Sequence, residues 1–437
     1  MARREGAADQ LRSVALRHAS LYRLELLSAT GLGAALALLG AVVSGRVAVL
    51  VWLGSTAAIC SWRGSRQWCR DKLQGSGARR RFLRALFAIE FDNERRRMPT
   101  VLSSKRTLAG RRLQVRVPVG LTVAHLEAVA EATAVAMAVA KVRVVRDRSN
   151  ASRAQVTIVE SDPLSSPDPL SWPLTEVAIN SLWAPVPVGV DEDGDLVRIS
   201  LPEHNLLLGG EPGGGKSAAL SLLLAASALD PAVALWLLDG KQVELAPWVG
   251  CARASVGPNL DEAIDVLSQL KAEMDLRYAQ LLAWRRRKTV AGDGLGLHVV
   301  ACDELAFFLA AGDRKARERC AELLRDLVAR GRAAGIIVLA ATQKPSSDII
   351  PTSLRDLFGY RWALRCATRE ASDTVLGSGW STQGYSAAEI DPATRGVGYL
   401  LHEGGLPVRL RAAYLDDETI EKIAERATRL RNQGEVP

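Results

Sequence analysis

Cysteine is sparse and has no pattern in this chain of 437 residues. Cys60, Cys69, Cys251, Cys302, Cys320 and Cys366 form no C-x-x-C pair and keep no regular spacing. That excludes a disulfide framework and a thiolate zinc site, and points to reduced thiols. The five histidines (His18, His125, His204, His298, His402) are scattered and suggest no metal cluster. Lysine is far outnumbered by arginine, and a body-wide basic excess is missing as well. Residues 1–100 hold 17 Lys/Arg against 7 Asp/Glu, while the remainder holds 39 against 41. The net charge of +8 therefore sits entirely in the first hundred residues. Composition alone does not establish nucleic-acid binding. With 48% hydrophobic residues, the chain can build a substantial core and two or three domains.

Two uncharged runs stand near the start: Leu26–Val43, 18 residues, and Val47–Trp62, 16 residues, joined by Ser44-Gly45-Arg46. Spanning a bilayer takes about 17–25 apolar residues, so both are short. Arginines at 3, 4, 12, 17 and 23 precede them, and Arg63, Arg66, Arg70, Lys72 and Arg79–Arg81 follow. The positive-inside rule predicts a two-pass hairpin in the cell membrane, with both termini and the body in the cytoplasm. A buried helical hairpin is the alternative. The expected organisation is a basic arm (1–23), two transmembrane helices (24–62), a basic juxtamembrane helix or linker (63–98), a small α+β domain (99–187) and a larger α/β domain (188–437). The stripe Phe82, Leu83, Leu86, Phe87 and Ile89 would let the linker rest on anionic lipid; a solvated helix is the other reading.

The organising stretch is Asn205–Ser221, NLLLGGEPGGGKSAALS. An aliphatic run reads as a buried strand, breaks into glycines, then turns helical. Gly210-Glu211-Pro212-Gly213-Gly214-Gly215-Lys216-Ser217 fits the phosphate-binding pattern G-x-x-x-x-G-K-[ST] in the context that pattern needs. Glycines let backbone N–H groups curl round phosphates, and a helix N-terminus adds its positive end. Lys216 would reach the β- and γ-phosphates and Ser217 would hold Mg²⁺, so ATP and Mg²⁺ are the expected cofactors.

From residue 188 onward β and α patterns alternate, which predicts a parallel sheet covered on both faces, a P-loop NTPase fold of RecA-like type. Ligands in such sheets gather at the carboxyl ends of strands. Four strand ends carry polar groups here: the P-loop, Asp239, Asp303-Glu304 and Thr342-Gln343. Asp303 would hold Mg²⁺ through a water, and Glu304 would polarise an attacking water or, alternatively, serve as a helix-start carboxylate. Gln343 would sense the γ-phosphate or cap a turn. No phosphoryl acceptor other than water stands out, so a hydrolase is expected. Asp191–Asp195 (DEDGD) reads as a hairpin turn rather than a calcium loop.

In their order, VGVDEDGDLVRISLPEHNLLLGGEPGGGKS, LLDGKQVEL, EMDLRY, VVACDELAFFL, GRAAGIIVLAATQKPSSDII and GYRWALRCATREASDTVLG resemble the FtsK/SpoIIIE family of DNA-pumping ATPases over residues 188–412. The resemblance implies a homo-hexameric ring round double-stranded DNA, ATP hydrolysis at subunit interfaces, and a hydrolytic set of Lys216, Ser217, Asp303, Glu304 and Gln343. It also implies an arginine reaching in from the neighbouring subunit, for which Arg365 and Arg361, with Arg332 behind them, are the candidates; a structural salt bridge is the competing reading of each. The family's D-P-K is D-G-K at Asp239–Lys241. The compact layout is similar to actinomycete plasmid- and integrative-element transfer proteins, implying conjugative transfer, with other transfer or spread proteins as partners. A protein-secretion or type IV coupling ATPase and a chromosome-segregation pump stay open as alternatives.

Overall fold

The computed structural model describes residues 63–434, apart from 108, 148, 167, 344, 345, 347 and 348. The expected arm and membrane hairpin (1–62) lie outside the described residues. Among the described residues no helix is long and apolar enough to cross a membrane. The chain divides into two compact units between Asp162 and Pro163.

The first unit begins with helix α1 (Arg63–Ala88), followed by strands β1 (Thr100–Thr107) and β2 (Gly110–Arg116), helices α2 (Val123–Ala128) and α3 (Ala130–Met137), and strands β3 (Lys141–Arg146) and β4 (Arg153–Val159). The strands form an antiparallel sheet in the order β1-β2-β4-β3. Period-two alternation puts Leu113, Val115, Ala154, Val156, Ile158 and Val142 on one face, packed in one core with Phe82, Leu83 and Leu86 of α1. The apolar stripe of 63–98 is thus largely spent on this sheet, and only Phe87 is left well exposed. The segment expected as a separate juxtamembrane linker belongs to the small unit. The Ala-rich stretch Val123–Val139 forms the two helices α2 and α3, divided at Val129 (φ −98°, ψ 9°).

The second unit is built on ten strands: β5 (Val186–Asp191), β6 (Leu196–Ile199), β7 (Leu206–Gly209), β8 (Ala234–Asp239), β9 (Ala254–Val256), β10 (His298–Asp303), β11 (Ile336–Thr342), β12 (Tyr360–Leu364), β13 (Val397–His402) and β14 (Val408–Ala412). Their order is β6-β5-β14-β13-β12-β7-β11-β10-β8-β9. The run from β12 to β9 is parallel, as expected. The remaining four strands are antiparallel, so the sheet is mixed. The cause is connection length: β13 and β14 are joined by a short turn, and a parallel neighbour needs a long crossover.

Helices cover both faces. Helix α4 (Lys216–Ala228) and the closing α9 (Asp417–Gly434) pack on one side with Leu206, Leu208, Leu235 and Val299. On the other lie α5 (Leu260–Ala283) and α7 (Arg314–Arg330), against Leu207, Leu238, Val300 and Val338. Strands buried on both faces explain their unbroken aliphatic sequences. Asn259 opens α5 by accepting from the N–H of Asp261 at 3.1 Å, with Asp261 and Glu262 in the favourable first turn.

The expected boundary at 187/188 falls too late. Trp172 and Leu182 are buried in the core of the larger unit. Trp172 Nε1 donates to the Pro187 carbonyl at 2.8 Å, and the Leu182 N–H donates to Asp230 at 2.8 Å. The Pro- and Ser-rich composition of 161–187 marks an irregular segment, not a linker. The DEDGD segment is a hairpin turn, with Gly194 at φ +81° and the Asp191 carboxylate accepting from the N–H groups of Asp193 and Asp195.

Candidate functional site

The phosphate loop is held from below by a buried asparagine. Asn205 at the foot of β7 donates to Val328 O and accepts from Val338 N–H, each at 2.7 Å, and its carbonyl accepts from Tyr360 N–H. The side chain thereby fixes β7 against β11 and α7, and the backbone carbonyl fixes it against β12. Above it Leu206, Leu207 and Leu208 are fully buried, and the strand ends at Gly209. Gly213 (φ +77°) and Gly215 (φ +101°) take left-handed conformations that an L side chain resists. A Cβ on Gly215 would also stand 3.0 Å from Gly396 Cα. Helix α4 starts immediately at Lys216, so its unpaired N–H groups face the loop.

Lys216 is buried, and its ammonium donates to the carbonyls of Gly210 at 2.7 Å and Glu211 at 2.9 Å. Burial, together with the nearby Lys241 charge, lowers its pKa to about 8. The surroundings therefore favour an anion that would restore the full charge. Ser217 is exposed beside it.

Three strand ends converge on this loop. Asp239 spends its carboxylate on the N–H groups of Lys241, Gln242 and Leu245 at 3.0, 2.8 and 2.9 Å; it folds the turn after β8 and leaves no free oxygen for chemistry. That turn delivers Lys241, whose ammonium lies 3.1 Å from Asp303 Oδ2. Asp303 is buried, and desolvation raises its pKa against the pull of Lys241. A buried carboxylate whose Oδ2 already faces an ammonium is a site for positive charge and fits a cation ligand. Asp303 and the Ser217 hydroxyl are hard oxygen donors of the kind Mg²⁺ takes, so they are the residues that would hold it. Lys241 supplies the positive charge at Asp303 in this structure, and sequence reasoning quoted it only as part of D-G-K.

Glu304 has the left-handed backbone (φ 59°, ψ 63°), uncommon for a non-glycine residue. It stands at the start of helix α6 (Leu305–Ala310) but makes no side-chain cap. Its carboxylate instead accepts from the Thr342 hydroxyl at 3.1 Å and the Gln343 N–H at 3.2 Å. Glu304 does stand at a helix start, as the alternative reading has it, but its carboxylate is directed to the end of β11 and not to a cap. Backbone strain turns Glu304 toward the end of β11, tying it to the strand that carries Gln343.

Lys216, Ser217 and Gln343 line one cleft of about 810 Å³. Its far wall was not foreseen: Leu170, Arg395, Tyr414, Leu415 and Ile420. These come from the segment before β5, the turn before β13, and the approach to and first turn of α9. Tyr414 is half-exposed there, with its N–H held by Leu170 O at 2.8 Å. The result is a polar cradle continuing into an apolar shelf.

Arg365 lies on its own loop. It forms an ion pair with Glu211, and its carbonyl accepts from the Glu211 N–H at 2.8 Å. This is the structural role weighed against a trans-acting one. Arg361 pairs with Asp356 at 3.1 Å and Arg332 with Glu403 at 3.7 Å. Those two line a separate pocket near the amino end of β12, away from the phosphate loop.

Residues 179–372 match the model of the FtsK/SpoIIIE family. That segment, under half of the chain, is similar to the FtsK/SpoIIIE family. It is 26% identical over 288 residues to the DNA translocase FtsK of Lactiplantibacillus plantarum, covering 61% of this chain and 33% of that protein. It is 27% identical over 268 residues to the FtsK of Corynebacterium efficiens, covering 55% and 27%. The chain thus spans about a third of the length of these relatives. Among solved structures, the pCW3 conjugation coupling protein TcpA with ATPγS aligns over 81% of this chain and 99% of its own, with TM-score 0.54 and 19% identity. EssC (ATPases 2 and 3) from Geobacillus thermodenitrificans aligns over 62% and 52%, with TM-score 0.50 and 16% identity. Both likenesses are of fold.

Proposed function

We propose that the chain is a membrane-anchored ATPase that moves double-stranded DNA, serving conjugative transfer of a plasmid or integrative element. The single observation that carries the hydrolytic part is the convergence of Lys216, Asp303 and Glu304 with the end of β11 around one phosphate loop. Lys216 neutralises the β- and γ-phosphates, Ser217 and, through a water, Asp303 would hold Mg²⁺, and Glu304 accepts a proton from the attacking water. Mg²⁺, when bound, draws charge from the phosphate oxygens. Glu304 and Gln343 share the end of β11, so the state of the γ-phosphate is passed to the segment that follows it. The nucleotide base lies on the shelf of Leu170, Tyr414 and Ile420.

The DNA cargo rests on the FtsK relatives, and conjugation on the likeness in fold to the conjugation coupling protein TcpA, which aligns over 99% of its solved chain. Arg365 braces its own loop, and a ring of six copies would bring Arg332 or Arg361 to the loop next door. Anchoring rests on the apolar runs Leu26–Val43 and Val47–Trp62. The test is ATP turnover by the full-length chain with and without duplex DNA, at low and moderate salt, because phosphate contacts weaken steeply with salt. Stimulation supports the pump. Equal turnover in all conditions refutes it and leaves a protein-secretion ATPase as the better reading.

A further inference from the structure

The small unit has a second sheet face that the core does not use. Counting from the register, one row across it reads Lys105, Arg112, Thr157, Arg143. The next reads Ser103, Gln114, Gln155, Val145, and beyond it Arg116 lies beside Arg153. Lys141 closes the opposite corner, level with Val159. Six basic side chains therefore share one face, and no strand position on it carries a carboxylate. Lys105, Arg116 and Lys141 are exposed; Arg112, Arg143 and Arg153 are partly so. Asp147 in the β3–β4 turn accepts from the N–H and hydroxyl of Ser149 at 2.8 and 2.6 Å and attracts Arg153 at the edge of the face.

Like charges placed side by side on a sheet repel, at a cost of several tenths of a kcal/mol per pair. A face built this way, with Ser, Thr, Gln, Gly110 and two valines, Val145 and Val159, among the charges, is complementary to a polyanion. It has no aromatic side chain, so it lacks the stacking platform of single-strand binders. It has no apolar wedge of the kind that seats an element in a lipid interface. Four strands at about 4.8 Å spacing carry the Lys105–Arg143 row over about 14 Å, comparable with the roughly 12 Å width of a major groove. We propose that this open face of the small sheet binds the phosphate backbone of duplex DNA, without base readout, as a second DNA contact outside the ATPase unit. The inference rests on the DNA reading above and extends it to a surface.

The test uses the full-length chain and a blunt duplex of mixed sequence. In one variant Lys105→Gln, Arg116→Gln, Lys141→Gln and Arg143→Gln are combined; a second keeps the charge with Lys105→Arg, Arg116→Lys, Lys141→Arg and Arg143→Lys. Each phosphate contact contributes about 0.9 to the slope of log Kd against log salt, so the glutamine variant should lose about 3 from that slope and bind at least tenfold more weakly at moderate salt. Its thermal midpoint and DNA-free ATP turnover should match the parent, and the charge-keeping variant should retain the slope. If the glutamine variant keeps the parent's slope while DNA still stimulates ATP turnover, the face is refuted and the pump stands. If the parent neither binds duplex at low salt nor responds to it, both fail. Face-dependent binding to phosphatidylglycerol vesicles, with DNA binding unchanged by the substitutions, would replace DNA by an anionic membrane.

Discussion

The two sheets of this protein place their polar chemistry in different ways. The central strands β7, β8, β10 and β11 of the ten-stranded sheet are covered on both faces, so Leu206–Leu208, Leu237–Leu238 and Val299–Ala301 are wholly apolar and charge is confined to the strand ends. The four-stranded sheet buries one face against α1 and spreads basic side chains over the other. Covering a face decides where function can sit. A sheet buried on both sides can present reactive groups only where its strands stop, which favours a compact site with shielded charges. A half-open sheet offers area, which suits a repetitive partner bound through many weak contacts.

That contrast predicts a hierarchy of effects. Removing a strand-end group should be severe and local. Lys216→Ala should cut ATP turnover by about a thousandfold, because its ammonium is the buried positive charge at the loop; normal turnover in a phosphate-release assay would place hydrolysis elsewhere. Glu304→Gln keeps the shape and can still accept from Thr342, and should lower kcat by about a hundredfold or more while nucleotide binding persists. Equal losses in binding and turnover would make Glu304 a structural residue only.

Much of the strand-end site was legible from the sequence, for a physical reason. Strands buried on both faces read as aliphatic runs, so a polar residue that ends such a run identifies itself, as Asp303-Glu304 and Thr342-Gln343 do. What escaped lies where local pattern is weak. β1 is an edge strand with the sequence TVLSSKRT, which has little apolar alternation to show. The Tyr414 shelf is assembled from segments far apart in the chain. Arg365 looked equally suited to its own loop or a neighbour's, and only its pairing with Glu211 separates the two. The small sheet's basic face was hidden because charges in alternate positions read as ordinary solvated residues until the register lines them up.

Buried polar groups away from the strand ends should affect stability rather than turnover. His298, at the start of β10, accepts from Trp236 Nε1 at 3.2 Å, and burial lowers its pKa to about 4. The unfolded chain takes the proton first, so this residue's contribution is present above about pH 6.5 and is lost as pH falls toward 4. Parent and His298→Gln should therefore differ in pH dependence by up to about 3 kcal/mol across that window, read from urea midpoints. Parallel curves would show that His298 is not held neutral. Smaller still, Tyr414→Ala should raise the KM for ATP by about five- to tenfold with kcat little changed, since an aromatic contact contributes about 1 kcal/mol. An unchanged KM would move the base off the shelf.

The most direct measurement is displacement of a triplex-forming oligonucleotide from duplex DNA by the full-length chain. The account predicts displacement that requires ATP, that is abolished in Lys216→Ala and Glu304→Gln, and that is slowed by the glutamine substitutions on the open sheet face. A chain that hydrolyses ATP faster on duplex DNA yet never displaces the third strand would contradict the claim that these strand ends drive movement along DNA.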